Sequence, residues 1–288
     1  MKPAPFAYHD PRTVDETLAL LATHGDDAKV LAGGQSLVPM LALRLARPSV
    51  VIDVNRVAGL DGVRQNGTAL SVGALVRQRA LERWAAERVP LLTAALRHVG
   101  HAAIRTRGTV AGSIVHADPA SELPALLMCL DGAVVARSRR GARTLAAAEF
   151  FQGPMTTALA ADELVTETRW TLPPAHAGWG FHEMARRHGD FALVGVAAVI
   201  ALQRGAVAEA RVAVFGAAAT PVRARDAERA LVGRAATEAA IAEAAGLAVA
   251  GVETVADIHA PASYRASVAR TLTARALTDA VARAKDAA

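Results

Sequence analysis

The chain has 288 residues, a formal net charge of +5, 52% hydrophobic residues and one cysteine. That is enough apolar material for two or three compact cores, and the basic residues are scattered among acidic ones instead of alternating with stacking aromatics, which argues against a nucleic-acid surface. A lone Cys129 excludes an internal disulfide and any iron–sulfur cluster or thiolate zinc site built from this chain alone, so a metal redox centre belongs on another polypeptide.

In chain order, residues 1–10 lack the charged-then-apolar layout of a signal peptide, and the longest apolar stretch, 191–202, is shorter than the roughly 20 residues of a membrane helix. A cytoplasmic location is the expectation. Leu18, Leu20 and Leu21 give 15–24 helical spacing, and 28–32 reads as a short strand. It runs into Ala32-Gly33-Gly34-Gln35-Ser36, then an apolar helix over 36–45 that closes before Pro48, then a β-branched strand over 50–54. Residues 29–54 thus form a strand–loop–helix–strand unit that favours parallel pairing with a right-handed crossover. A first unit is expected over 1–57.

From Gly59 the pattern changes to short strands over 62–64 and 69–72, then helices over 75–87 and 91–98. A second glycine-bearing loop follows, Thr109-Val110-Ala111-Gly112-Ser113. Asp118 is expected to cap, and Pro119 to start, a helix running to Cys129, where the thiol reads as a buried structural group. Strands are predicted over 133–136 and 164–172, with the basic run 137–143 as a hairpin turn. This second unit is expected over 58–175. Pro173-Pro174-Ala175-His176-Ala177-Gly178 is the linker to a third unit, 179–288, with strands over 193–203 and 208–215 and alanine-rich helices over 224–231, 237–250 and 264–284.

Each glycine-bearing loop follows an ordered element and runs into a helix. Glycine lets backbone approach a phosphate, and amide groups at a helix start are unpaired donors, so two such loops point to a dinucleotide diphosphate, with Ser36 and Ser113 adding hydroxyls. Neither loop has the spacing of the doubly wound dinucleotide fingerprint or of the lysine-bearing phosphate loop, and a single glycine pair is more often a plain turn. His116, Asp118 and Glu122 lack the spacing of a metal site. No nucleophile elbow and no acid–base carboxylate pair is placed by the sequence.

Taken together, Leu31-Ala32-Gly33-Gly34-Gln35-Ser36-Leu37-Val38-Pro39, Arg44-Leu45-Ala46-Arg47-Pro48, Ile104-Arg105-Thr106-Arg107-Gly108-Thr109-Val110-Ala111-Gly112-Ser113 and His116-Ala117-Asp118-Pro119-Ala120-Ser121-Glu122-Leu123-Pro124 resemble the FAD-binding medium subunit of molybdenum hydroxylases, the carbon monoxide dehydrogenase and xanthine dehydrogenase group. Arg187-His188-Gly189-Asp190-Phe191-Ala192 and Tyr264-Arg265 resemble the start and end of that subunit's C-terminal domain.

The resemblance implies an α+β chain: a two-subdomain FAD-binding fold of the two-loop, vanillyl-alcohol-oxidase-like type, followed by a C-terminal α+β domain with a small antiparallel sheet and helices. It implies an oxidoreductase subunit whose FAD receives electrons from [2Fe–2S] clusters on a small partner subunit, fed by molybdopterin on a large partner subunit. The flavin would pass them to an external acceptor such as NAD or quinone. By the same similarity Ala32, Gly33, Gly34, Gln35 and Ser36, and Thr109, Val110, Ala111, Gly112 and Ser113, hold the diphosphate and adjoining parts of FAD. Glu122 faces the ribityl chain, or is an ordinary first-turn carboxylate; the two are compatible. Asp190 and Phe191 approach the isoalloxazine edge, although Phe191 also reads as core. His182 stands where some relatives carry a flavin-contacting lysine and reads as a surface or satisfied residue. Ala111 replaces a usual glycine and is expected to set a methyl beside the phosphate path. Two alternatives remain: a flavin-fold scaffold or assembly subunit, and a self-contained flavin oxidoreductase.

Overall fold

The structure is a computed structural model that describes residues 2–287. Met1 and Ala288, the outer ends of the first and third expected units, lie outside the described residues. In the first part of the chain β1 (Ala7–His9) leads into α1 (Val14–His24), β2 (Ala28–Leu31), α2 (Leu37–Ala42) and β3 (Val50–Asp53). The sheet order is β1-β3-β2, parallel throughout, and β2–α2–β3 is the strand–loop–helix–strand unit read from the sequence. The predicted helix over 36–45 is cut to six residues. Arg44 adopts φ 57° and the Leu45 N–H returns to the Met40 carbonyl at 2.9 Å, a left-handed termination. The three-residue β1 is too short for periodicity to reveal.

The second part begins with β4 (Val63–Asn66) and β5 (Ala69–Gly73), followed by five helices: α3 (Gln78–Ala85), α4 (Pro90–Leu96), α5 (Ala102–Arg107), α6 (Val110–His116) and α7 (Glu122–Cys129). Then come β6 (Ala133–Ser138), β7 (Gly141–Ala146), α8 (Ala147–Phe150), β8 (Phe151–Gly153), β9 (Thr156–Thr157) and β10 (Leu164–Thr171). The main sheet has the order β4-β5-β10-β6-β7 and β8 pairs with β9 alone. The β6–β7 hairpin pairs Ser138 with Gly141, so the expected hairpin falls in the basic run, with its turn narrowed to Arg139 and Arg140 and the rest of 137–143 in the paired strands.

Two expectations on the helices are corrected. The second glycine-bearing segment is the start of α6 and not a free loop. Asp118 does not cap α7 and Pro119 is not its first residue. The Asp118 carboxylate accepts the Ala120 N–H at 2.8 Å, which closes a separate turn, and α7 starts at Glu122. Cys129 is fully buried, with its Sγ 3.7 Å from the Ala197 carbonyl. Burial pushes its thiol up to about 12, which makes it an inert core group.

The third part holds β11 (Gly178–Ala185), β12 (Ala192–Gln203), β13 (Ala206–Phe215), β14 (Val222–Arg223), α9 (Arg225–Leu231), α10 (Glu238–Ala250) and α11 (Ala262–Asp286), with the antiparallel order β11-β12-β13-β14. β12 lacks polar alternation because both its faces are covered. Val194, Val196, Ala198 and Ile200 join the core under α10 and α11, whereas Ala197 and Val199 join the core of the second part. The antiparallel C-terminal sheet therefore shares one continuous core with α4 and α7. Alanine richness in α11 has a packing cause as well as helix propensity: a Cβ on Gly178 or Gly180 would lie 1.9 or 2.0 Å from the Ala280 or Ala276 carbonyl oxygen. Helix and strand backbones touch there. No helix among the described residues is long and apolar enough to cross a membrane.

Candidate cofactor-binding site

The first loop turns out of β2 at Gly34, whose φ of +73° is a conformation other residues rarely adopt. The N–H groups of Gly33, Gly34, Gln35 and Ser36 have no acceptor within the protein among the described residues. Gln35 folds back so that its side-chain amide donates to the Gly33 carbonyl at 3.0 Å. Ser36 occupies the N-cap position of α2 without making a capping bond and is exposed. Four backbone donors and one exposed hydroxyl are thus uncommitted at one turn, an arrangement suited to anionic oxygens.

The second segment is built differently. The Thr109 Oγ1 caps α6 by accepting the Gly112 N–H at 3.1 Å, so one donor of this turn is satisfied internally. Val110 is fully buried and its N–H donates to the Val76 carbonyl at 2.9 Å; only its backbone borders the turn. Ala111 has ordinary helical backbone and is 3% exposed in the main core. The expected methyl beside the phosphate path is corrected: it points inward, and no positive-φ cost applies. Gly112 is required by its neighbour, since a Cβ there would lie 2.5 Å from the capping Thr109 oxygen. Ser113 follows on the same turn, half-buried.

The two segments touch. A Cβ on Gly33 would sit 2.5 Å from the Arg107 carbonyl oxygen and 2.7 Å from Gly108 Cα, and one on Gly112 would be 3.9 Å from Ala32 Cβ. Two side chains clamp this contact. The Asn55 amide donates to the Ala32 carbonyl at 2.7 Å and to Asp53 Oδ1 at 2.6 Å. Its carbonyl oxygen accepts from Arg77 Nη2 at 2.7 Å, while Arg77 Nη1 reaches the Arg107 carbonyl at 2.5 Å. Burial opposes ionisation of Asp53, yet donors from Asn55 and the Tyr8 hydroxyl hold its carboxyl below the usual range.

Beside this contact lies a cleft of about 360 Å³ lined by Ala32, Gly33, Gly34, Gln35 and Val38 on one side and by Asn55, Ile104 and Arg107 on the other, within the size range of small-molecule sites. The Gly33 and Gly112 contacts bring residues 32–36 and 109–113 together, but Ser36 and residues 109–113 do not line the cleft itself. Glu122 is not in the cleft wall; it is the first residue of α7, 7% exposed, and burial pushes its carboxyl up to about 7. Asp190 and Phe191 lie on the turn between β11 and β12. Phe191 is 73% exposed, so the core reading of this residue is corrected. That turn lies against the start of α5, because a Cβ on Gly189 would meet His101 Cε1 at 2.6 Å, and α5 supplies Ile104 and Arg107 to the cleft. His182 points to the opposite face of β11 and pairs with Asp279 at 3.1 Å.

Asn55 and Arg77 were missed from sequence. Asn55 carried a faint signal, as a polar residue two beyond Asp53 where β3 ends. Arg77 carried none, because it bridges segments distant in sequence; Arg107 stood within the stretch 104–113 without being singled out, and it lines the cleft.

Residues 4–171 match the family model described as "FAD binding domain in molybdopterin dehydrogenase", and residues 179–280 match that described as "CO dehydrogenase flavoprotein C-terminal domain". The 6-hydroxypseudooxynicotine dehydrogenase complex subunit alpha of Paenarthrobacter nicotinovorans is 40% identical, covering 99% of this chain and 97% of the relative. Among solved structures, carbon monoxide dehydrogenase from Hydrogenophaga pseudoflava superposes with a TM-score of 0.95 at 38% identity, covering 98% of this chain and 99% of that one. Quinoline 2-oxidoreductase from Pseudomonas putida 86 gives 0.92 at 38% identity, covering 100% and 99%.

Proposed function

Because the chain belongs to the FAD-binding subunit family of molybdopterin dehydrogenases, we propose that it binds FAD in the cleft at the first glycine-bearing loop, where that loop meets α5 next to the start of α6, and serves as the electron outlet of a heteromeric molybdenum hydroxylase. The observation that carries this reading is the direct contact of Gly33 with residues 107–109. It sets the free N–H groups of the first loop beside the first turn of α6, and in this reading the two serve as one cradle for a diphosphate. In this reading Gly33, Gly34, Gln35 and Ser36 hold phosphate oxygens through backbone N–H and the Ser36 hydroxyl. Thr109, Val110, Ala111, Gly112 and Ser113 border the same anion through backbone and the Ser113 hydroxyl. Glu122 lies toward the ribityl chain, and Asp190 and exposed Phe191 stand at the isoalloxazine edge.

Bound FAD supplies a junction between one-electron and two-electron chemistry. The chain supplies binding, orientation and a polar environment, and no nucleophile or substrate base is needed. Electrons arrive from [2Fe–2S] clusters of a small partner subunit, downstream of molybdopterin on a large one, and leave to an acceptor such as NAD or quinone. The same division of labour agrees with a sole, buried cysteine. The domain limits that follow are 1–57 and 58–175 for the FAD-binding half and 179–288 for the C-terminal domain.

The test is the visible absorbance of the purified chain, with chromatographic identification of released cofactor. One FAD per chain, without substrate turnover by the isolated chain, is the expected result. A colourless chain that takes up no added FAD would favour a scaffold role, and turnover in isolation would favour a self-contained oxidoreductase.

A further inference from the structure

The arginines on and around α3 and α5 are not used alike. Arg79 and Arg105 pair with Glu82 at 2.5 and 3.0 Å, and Arg105 also donates to the Val99 and Gly100 carbonyls at 3.0 and 3.1 Å. Arg77 places its guanidinium on Asn55 and on the Arg107 carbonyl. Arg107, the last residue of α5, is the exception. Its carbonyl is held by Arg77 on one side and approached closely by Gly33 on the other. Its side chain makes no hydrogen bond or ion pair among the described residues, and the residue is exposed in the cleft wall across from Gly34 and Gln35.

No carboxylate lining the cleft is left to balance this charge. Asp53 is the acidic residue among the lining side chains, and its oxygens already accept the Asn55 backbone N–H at 2.9 Å, the Asn55 amide at 2.6 Å and the Tyr8 hydroxyl at 2.7 Å. Burial and then the Arg107 charge hold Arg77 below its usual range, with Asp53 pulling the other way. Two like charges therefore adjoin the cleft, an arrangement that an anion would relieve. The second glycine-bearing segment brings few donors to such an anion. The N–H groups of Val110, Gly112 and Ser113 are taken up by the Val76 carbonyl, Thr109 Oγ1 and the Thr109 carbonyl at 2.9, 3.1 and 3.2 Å.

We propose that Arg107 makes the cleft selective for a diphosphate over a monophosphate. The free N–H groups of residues 33–36 hold one phosphate from one wall, and the Arg107 guanidinium holds the other from the opposite wall. The proposal rests on the FAD reading above and adds to it the side chain that tells the dinucleotide from the mononucleotide. A guanidinium suits the task because it keeps its charge at any working pH and presents paired donors that match phosphate oxygens. A basic residue at the end of a helix also favours the helix dipole, but that role acts on the stability of α5 and is blind to which flavin is bound.

Calorimetric titration of the deflavinated full chain with FAD, FMN and riboflavin tests this. In Arg107→Gln, FAD affinity should fall by about thirtyfold, while FMN and riboflavin affinities stay within about threefold of the parent. The preference for FAD over FMN should therefore shrink by about tenfold or more, with the urea midpoint of the unliganded chain unchanged. An FAD-to-FMN preference that is the same in parent and variant would overturn the assignment of Arg107, whether no ligand weakens or all weaken together. A parent that binds none of the three flavins would overturn the cofactor reading instead.

Discussion

The two glycine-bearing segments look alike in sequence and differ in construction. In residues 32–36 the backbone is held open by a left-handed Gly34, four N–H groups are free, and the serine caps nothing. In residues 109–113 the threonine caps a helix, the glycine makes room for that cap, and the alanine is core. The first segment keeps its backbone donors uncommitted, and the second commits its donors and side chains to the protein's own helix and core. Glycine at a suspected phosphate loop therefore has at least three separate causes here: φ at Gly34, backbone contact between segments at Gly33, and side-chain room at Gly112.

Substitutions can break this contrast, starting with the largest expected effect. Gly33→Val places atoms inside the Arg107–Gly108 backbone, which must move. A stability loss of about 3 kcal/mol and near-complete loss of bound flavin are expected, read from a urea midpoint and the flavin absorbance per chain. Arg77→Met removes the charged bridge between Asn55 and the Arg107 carbonyl while keeping an apolar stem. A charge-assisted bond is worth about 2 kcal/mol, so FAD affinity should fall by about tenfold or more in a titration of the deflavinated chain, with the far-ultraviolet circular dichroism unchanged. Thr109→Ala deletes the α6 cap and should cost about 1 kcal/mol in denaturant unfolding, with a smaller effect on affinity than Arg77→Met because it also frees the Gly112 N–H. Ala111→Gly should cost about 1 kcal/mol of stability with FAD affinity unchanged to within about twofold. A large gain in affinity would show that the methyl does obstruct the ligand.

The sequence made β2–α2–β3 legible because a β-branched run, a glycine turn and an apolar helix each signal locally and agree. It also made the hairpin at 137–143 and the long α11 legible. It did not reveal that α6 starts at Val110, because glycine weakens a helical reading and the decisive fact is a Thr109 side-chain bond. Phe191 was ambiguous because an aromatic residue beside an apolar run reads as core, while the chain turns just before β12 and leaves it exposed. The apolar run of β12 signalled burial without saying against what; its two faces belong to two cores. Of the candidate site, the residues that offer backbone were visible and those that clamp it, Asn55 and Arg77, were not. Clamping is a long-range relation between residues 22 apart, whereas a loop motif is local.

The central claim is that the paired segments form a diphosphate cradle, and calorimetric titration of the deflavinated chain with FAD and with riboflavin tests it most directly. Loss of the diphosphate contacts predicts riboflavin binding weaker than FAD by about a thousandfold, roughly 4 kcal/mol. Equal affinity for the two would contradict the cradle and place the flavin elsewhere on the chain.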